Sequence, residues 1–151
     1  MPTTLLPIKN YPQRSTGDCL AACAAMALNY VGVSVSYHRL LRILDVQPYG
    51  TPGSRLNKLA ALDVTVRYAY GTLDQLRDTL TAGYPCIVLL RTQYLPYWTY
   101  TTNHAALVVG YDDEVFYVND PAFEEAPHQV SHIALELAWM AFDYRYGVIY
   151  R

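Results

Sequence analysis

Cys19 stands at a seam in this chain. Before it runs the polar, turn-prone stretch Gln13-Arg14-Ser15-Thr16-Gly17-Asp18, and after it the apolar Leu20-Ala21-Ala22-Cys23-Ala24-Ala25-Met26. A thiol in the first turn of a helix feels the positive end of the helix dipole and a set of unpaired N–H groups. Both favour thiolate over thiol, and such settings bring a cysteine pKa into the range of roughly 3.5–7.5. That is what a nucleophile needs. Position alone fits a small hydrophobe at a helix start equally well, so the rest of the chain has to decide.

A thiolate nucleophile requires a base and a group that holds the base. His104, one of four histidines, opens the apolar run His-Ala-Ala-Leu-Val-Val-Gly-Tyr. A strand end that faces a loop keeps a side chain both rigid and accessible. Asp120, in Val118-Asn119-Asp120-Pro121, ends the next apolar run. If the two runs pair as a hairpin, Asp120 lies near His104, where it can accept from one ring nitrogen and select the tautomer. Asp-Pro is also an ordinary strand terminator. Asn119 is set aside because adjacent strand residues point to opposite faces. Gln13 supplies a carboxamide N–H upstream of the cysteine. With the Cys19 backbone N–H it could bind a tetrahedral oxyanion, and one such donor is worth about 10²–10³ in rate.

Weaker groupings stand beside these. Tyr94, Tyr97, Trp98 and Tyr100 directly precede His104 and either pack a loop or wall a substrate cleft; Tyr97 and Trp98 are taken as substrate-binding candidates. Cys19-x3-Cys23 and His128-x3-His132 imitate a zinc pattern. Structural zinc sites have compact spacing and these pairs stand about a hundred residues apart, so no metal or other cofactor is expected. Cys86 reads as inert core and His38 as surface.

The elements that must position these side chains follow from pattern. Three prolines mark residues 1–17 as an extended lead-in. A helix is expected from Asp18, as N-cap, to Val31, with Gly32 as its stop. Ser36 caps a second helix through Leu44, and a third runs from Arg55 to Leu62. Val64–Tyr70 alternates as a strand. Thr72-Leu73-Asp74-Gln75 is a capping box for a helix ending near Gly83. Strands are expected at Cys86–Leu90, His104–Tyr111, Val115–Val118 and Tyr146–Tyr150, with a helix at 133–142. Helices first and then mostly antiparallel strands is an α+β order.

Composition narrows the classes. A chain of 151 residues with 52% apolar and 16% charged content is expected to fold as one domain, 1–151. A net charge of −2 offers no bulk attraction for nucleic acid or an anionic membrane. Apolar runs fall short of the roughly 18 residues a membrane span needs. No signal peptide is read, and three cysteines do not make a disulfide framework, so a cytoplasmic location is expected. Oligomeric state leaves no trace in the sequence.

The segments QRSTGDCLAAC, NYVGVSVSYHRLLRI, GTPGSRLNKLAAL and HAALVVGYDDEVFYVNDP together resemble the bacteriocin-processing (double-glycine) cysteine peptidases and their freestanding relatives, a compact branch of the papain-like superfamily. The likeness runs from about Tyr11 to Tyr150. It implies a papain-like α+β fold with N-terminal helices on a mostly antiparallel sheet, and a peptide or protein substrate. By resemblance, Cys19 is the nucleophile, His104 the general base and acid, Asp120 its orienting carboxylate and Gln13 the oxyanion donor. Cys23 falls where many relatives carry a second, non-catalytic cysteine. Relatives usually have Gly after the nucleophile; Leu20 here either narrows the cleft beside the scissile bond or packs as helix core. The reaction implied is peptide hydrolysis through an acyl-enzyme. Transfer of the acyl group to an amine, deamidation, and peptide binding without cleavage are the alternatives.

Overall fold

The computed structural model describes residues 2–151. Its elements, in chain order, are β1 (Thr4–Leu5), α1 (Cys19–Tyr30), α2 (Tyr37–Leu44), a 3-10 helix (Gly53–Leu62), β2 (Thr65–Tyr70), α3 (Leu73–Thr81), β3 (Cys86–Arg91), a short 3-10 turn (Thr92–Tyr94), β4 (Asn103–Tyr111), β5 (Val115–Asn119), β6 (His128–Ser131), α4 (His132–Met140) and β7 (Arg145–Tyr150). The strands form one sheet in the order β2-β7-β3-β4-β5-β6, with β1 paired to β4. Every pairing is antiparallel. This is the expected α+β architecture.

The sheet has helices on both faces, so its middle strands are apolar on both. Along β3 the side chains divide by parity. Ile87 and Leu89 join a core with α1, α2 and the long 3-10 helix. Cys86, Val88 and Leu90 join a second core with α3 and α4. Strand alternation thus feeds two separate cores from one strand. That is why Cys-Ile-Val-Leu-Leu reads as a continuous apolar run.

α1 is the central helix. Leu20, Ala21, Ala22, Cys23, Ala24, Met26, Ala27 and Leu28 are all buried, which leaves no polar face. A helix apolar all round belongs in an interior. Its alanines cost no side-chain entropy and form the helix well. The helix stops at Gly32, whose φ of 83° is open to glycine at little cost. Arg151 at the other end of the chain donates to the Gly32 carbonyl at 2.9 Å.

Three expectations need correction. The third helix is a 3-10 helix that begins at Gly53 rather than Arg55. The lead-in contains β1, and β6 was not foreseen; two and four residues at the sheet's margins are too short to carry a periodic signal. Asp18 occupies the N-cap position of α1, yet its side chain does not cap the helix. Its carboxylate turns back to the loop, as described below.

Candidate active site

The approach to Cys19 is built by backbone contact. A Cβ on Gly17 would strike the Gln47 carbonyl oxygen and come within 2.6 Å of that of Pro48. Only glycine lets the loop lie this close to the chain that follows α2. Asp18, 2% exposed, then ties the loop together. Its Oδ1 accepts from Ser15 N–H at 2.9 Å, and its Oδ2 from Arg14 N–H at 3.3 Å and from the Tyr37 hydroxyl at 2.6 Å. Burial and the neighbouring Asp18 carboxylate push the Tyr37 hydroxyl far above its usual range, so it remains a donor. Cys19 follows as the first residue of α1, half-buried, its N–H without a partner among the described residues.

β4 and β5 deliver the other two groups. They pair with Leu107 opposite Asn119 and Val108 opposite Val118. Continuing that register by one residue puts Asp120 opposite Ala106, so His104 is its diagonal neighbour on the same face. His104 Nε2 and Asp120 Oδ1 are 2.6 Å apart. Asn119 points to the opposite face, where its amide donates to the Ile8 carbonyl at 3.2 Å.

Asp120 is 0% exposed, and all its acceptor capacity is used. Oδ1 also accepts from Ala122 N–H at 2.9 Å. Oδ2 accepts from the Tyr97 hydroxyl and the Trp98 Nε1–H, each at 2.9 Å. Burial alone would raise this carboxyl. The bond to His104, with help from Trp98 and Ala122, overrides it and leaves Asp120 below the ordinary carboxylate range. Burial likewise opposes a charge on His104. Hydrogen bonds to Asp120 and to Cys19 outweigh it and raise His104 to about 9. With Nε2 held by Asp120, Nδ1 is the ring nitrogen open to Cys19. At neutral pH the arrangement holds an imidazolium between the Asp120 carboxylate and the Cys19 sulfur.

Gln13 stands in the same cleft as His104. Its backbone N–H donates to the Pro121 carbonyl at 2.7 Å, which ties it to the residue after Asp120. One side-chain N–H goes to the Ser15 carbonyl at 2.8 Å, which leaves the amide's second hydrogen without a use. Two hollows meet at His104. One, about 300 Å³, has Cys19, Thr51, Tyr68, Leu89 and Phe142 in its wall. Tyr49, 88% exposed, stands at its rim, and Thr51 Oγ1 is buried without a partner among the described residues. The other, about 430 Å³, lies between Gln13, Arg14, Trp98 and Tyr100.

The structure therefore brings Cys19, His104, Asp120 and Gln13 to one place. It places Leu20 elsewhere: the side chain is 1% exposed and belongs to the α1 core, so the cleft-narrowing expectation is replaced by helix packing. Tyr97 lines neither hollow; its ring stacks on His128 at 3.9 Å and its hydroxyl serves Asp120. Trp98 does both jobs, with its ring edge-on to His104 at 4.8 Å. Reading the sequence missed Asp18, Tyr37, Gly17 and Thr51. Of these only the Ser-Thr-Gly-Asp turn carried a local signal. His132 accepts from Arg77 at 3.0 Å, with its ring tilted against Phe116. No group of three or more His, Cys, Asp or Glu side chains gathers as a metal site among the described residues. Nor is any described helix long and apolar enough to cross a membrane.

Comparison with known proteins agrees with this architecture. A C39-like peptidase from Bacillus anthracis superposes with a TM-score of 0.82 at 17% identity, over 98% of this chain and 97% of that one. A double glycine motif protease from an AMS/PCAT transporter, solved with its leader peptide, gives 0.77 at 17% identity over 98% and 94%. The peptidase domain of Streptococcus ComA, a bifunctional ABC transporter of a quorum-sensing pathway, gives 0.76 at 20% identity over 94% and 97%. No curated protein sequence matches significantly. The model of the Peptidase C39-like family matches residues 5–149, and the chain belongs to that family.

Proposed function

We propose that the protein is a thiol peptidase that hydrolyses a peptide bond through an acyl-enzyme on Cys19. The observation that carries this is the 2.6 Å bond from His104 Nε2 to a fully buried, fully bonded Asp120, beside a cysteine at a helix N-terminus. Cys19 Sγ attacks the substrate carbonyl and forms a carbon–sulfur bond. The oxyanion is received by the Cys19 N–H and the spare hydrogen of the Gln13 amide, in a site where such donors count most. The His104 imidazolium gives its proton to the leaving nitrogen as the carbon–nitrogen bond breaks. Neutral His104 then takes a proton from water. The hydroxide attacks the thioester, the acid departs and the thiolate–imidazolium pair is restored.

His104 raised to about 9 suits the first half-reaction, because the general acid is already charged at neutral pH. Asp120 keeps the ring oriented and compensates that charge. The hollow walled by Tyr68, Leu89 and Phe142 has no acidic or basic side chain beyond His104 itself, which favours an apolar residue on that side of the scissile bond. The leader peptide bound to the AMS/PCAT protease supports a peptide as the class of substrate.

The test is a cleavage-site profile on a proteome-derived peptide library, with wild type and Cys19→Ala side by side and products read by mass spectrometry. New carboxyl termini made only by the wild type support hydrolysis. Masses showing an added amine would replace hydrolysis with acyl transfer, and conversion of Gln to Glu without chain cleavage would make it a deamidase. Identical profiles for the two proteins would reject the reading.

A further inference from the structure

Arg14 has a wall in two hollows. One is the catalytic cleft beside Gln13 and His104. The other is a separate pocket of about 340 Å³ on the flank of α1, where Arg14 sits with Tyr11, Ala25, Val33, Val35 and Tyr37. Among the described residues Arg14 makes no ion pair. Its guanidinium lies over the Tyr37 ring, 4.4 Å from the centroid, and Tyr37 is anchored to Asp18. The nearest carboxylate on its own loop, Asp18, is buried and spends its oxygens on two backbone N–H groups and the Tyr37 hydroxyl. Among the described residues no acidic side chain lines either hollow.

An exposed arginine held over an aromatic ring has lost much of its freedom already, so little more is lost on binding. Its planar fork suits a carboxylate, which it can grip through two parallel bonds. Beyond it the flank pocket offers a mixed wall, with Asn29 and Ser34 beside Tyr11, Val33 and Val35.

We propose that Arg14 links the catalytic cleft to an extended substrate site. On the Gln13 side of the scissile bond, the peptide passes Arg14, which takes a carboxylate, and then runs into the α1 flank pocket. The inference rests on the peptidase reading but names a further determinant of specificity. The carboxylate is an Asp or Glu side chain or the C-terminus of a short substrate; the chemistry at Arg14 is the same.

Two measurements test it. In the first, a positional-scanning peptide library with Asp, Ala or Lys at each site around the cut is digested by wild type, Arg14→Glu and Lys58→Glu. Lys58→Glu makes the same change of net charge at an exposed position on the long 3-10 helix. Wild type should favour Asp over Lys by about tenfold at a position on one side of the cut only, which corresponds to about 1.4 kcal/mol. Arg14→Glu should invert that preference and Lys58→Glu should leave it. Peptides matched except for a free or amidated C-terminus separate the two sources: sensitivity to amidation assigns the terminus, insensitivity a side chain. In the second, Cys19→Ala is titrated with fluorescein-labelled Asp-containing and Lys-containing members of the same library, and anisotropy is read. Tighter binding of the Asp peptides, lost in Cys19→Ala/Arg14→Glu and weakened by added salt, supports the site even if no peptide is cleaved. An unchanged charge preference in Arg14→Glu, or equal binding of Asp and Lys peptides by Cys19→Ala, overturns it.

Discussion

At the scale of single residues, the proposed chemistry rests on where protons sit. His104 is raised to about 9, chiefly through Asp120 and Cys19 working against burial. Peptidase activity that uses the imidazolium as general acid should fall as pH rises through about 9. Asp120→Asn keeps a hydrogen-bond acceptor but removes the charge, so the alkaline limb of a kcat/KM profile should move to lower pH while some activity survives. An Asp120→Asn limb that stays at its wild-type position would mean that another group sets the His104 pKa. His104→Ala removes proton transfer altogether and should cost about 10²–10⁴ in rate. The three thiols should also separate. Burial, with the nearby Cys19 and Asp120 charges, pushes Cys23 far up, and burial pushes Cys86 up. Limiting iodoacetamide on the native protein should therefore label Cys19 first, as peptide mapping would show. Preferential labelling of Cys86 would remove Cys19 from its proposed role.

At the scale of elements, α1 does two things at once: it fills the core and it presents Cys19. Leu20 belongs to the first task, 1% exposed beside its neighbours in the core. Leu20→Ala should cost about 2–5 kcal/mol in chemical denaturation, as buried Leu truncations do. The preference for bulky or small peptides should not change, since the side chain forms no part of the cleft wall. A changed peptide preference at unchanged stability would return Leu20 to the cleft. Gly17 belongs to the second task. Adding a methyl group at Gly17 forces the Gln13–Asp18 loop off Gln47 and Pro48. Gly17→Ala should lower kcat/KM by displacing Gln13 and Cys19, with a stability loss of about 1–3 kcal/mol. Full activity in that variant would show that the loop's close approach is not needed to place the site.

At the scale of the whole molecule, the same two titrating groups tie stability to pH. Folding raises His104 from an ordinary value of about 6.5 to about 9. Its contribution is complete below about 6.5 and drains away as pH rises through about 9. Asp120 behaves in the opposite sense. Its folded pKa is lowered, so its contribution is present above the usual carboxyl range and is lost on acidification. Denaturation midpoints should thus fall on both sides of neutrality. In Asp120→Asn the alkaline decline should be shallower, because the main group that raises His104 has lost its charge. An unaltered alkaline slope would place its origin elsewhere in the chain.

Most of the local structure is legible in the amino-acid sequence. Periodicity and caps set α1, α2, α3 and five of the strands, because Thr72 and Ser36 bond the N–H three residues on within their own first turn. Likewise Gly32 needs only its own positive φ. The chemical types at Cys19, His104, Asp120 and Gln13 were legible for the same reason: a nucleophile, a base, a carboxylate and a donor fall at element ends in a workable order. How those groups are held is set by long-range packing. Tyr97 and Trp98 serve Asp120 from a loop 23 and 22 residues away, and Tyr37 anchors Asp18 from 19 residues away. Such partners depend on two separate segments meeting in space, which no local pattern encodes. Leu20 shows the limit most directly. A leucine after the cysteine fits a cleft wall or a helix core equally well by type, and only the packing of α1 against the sheet turned it inward.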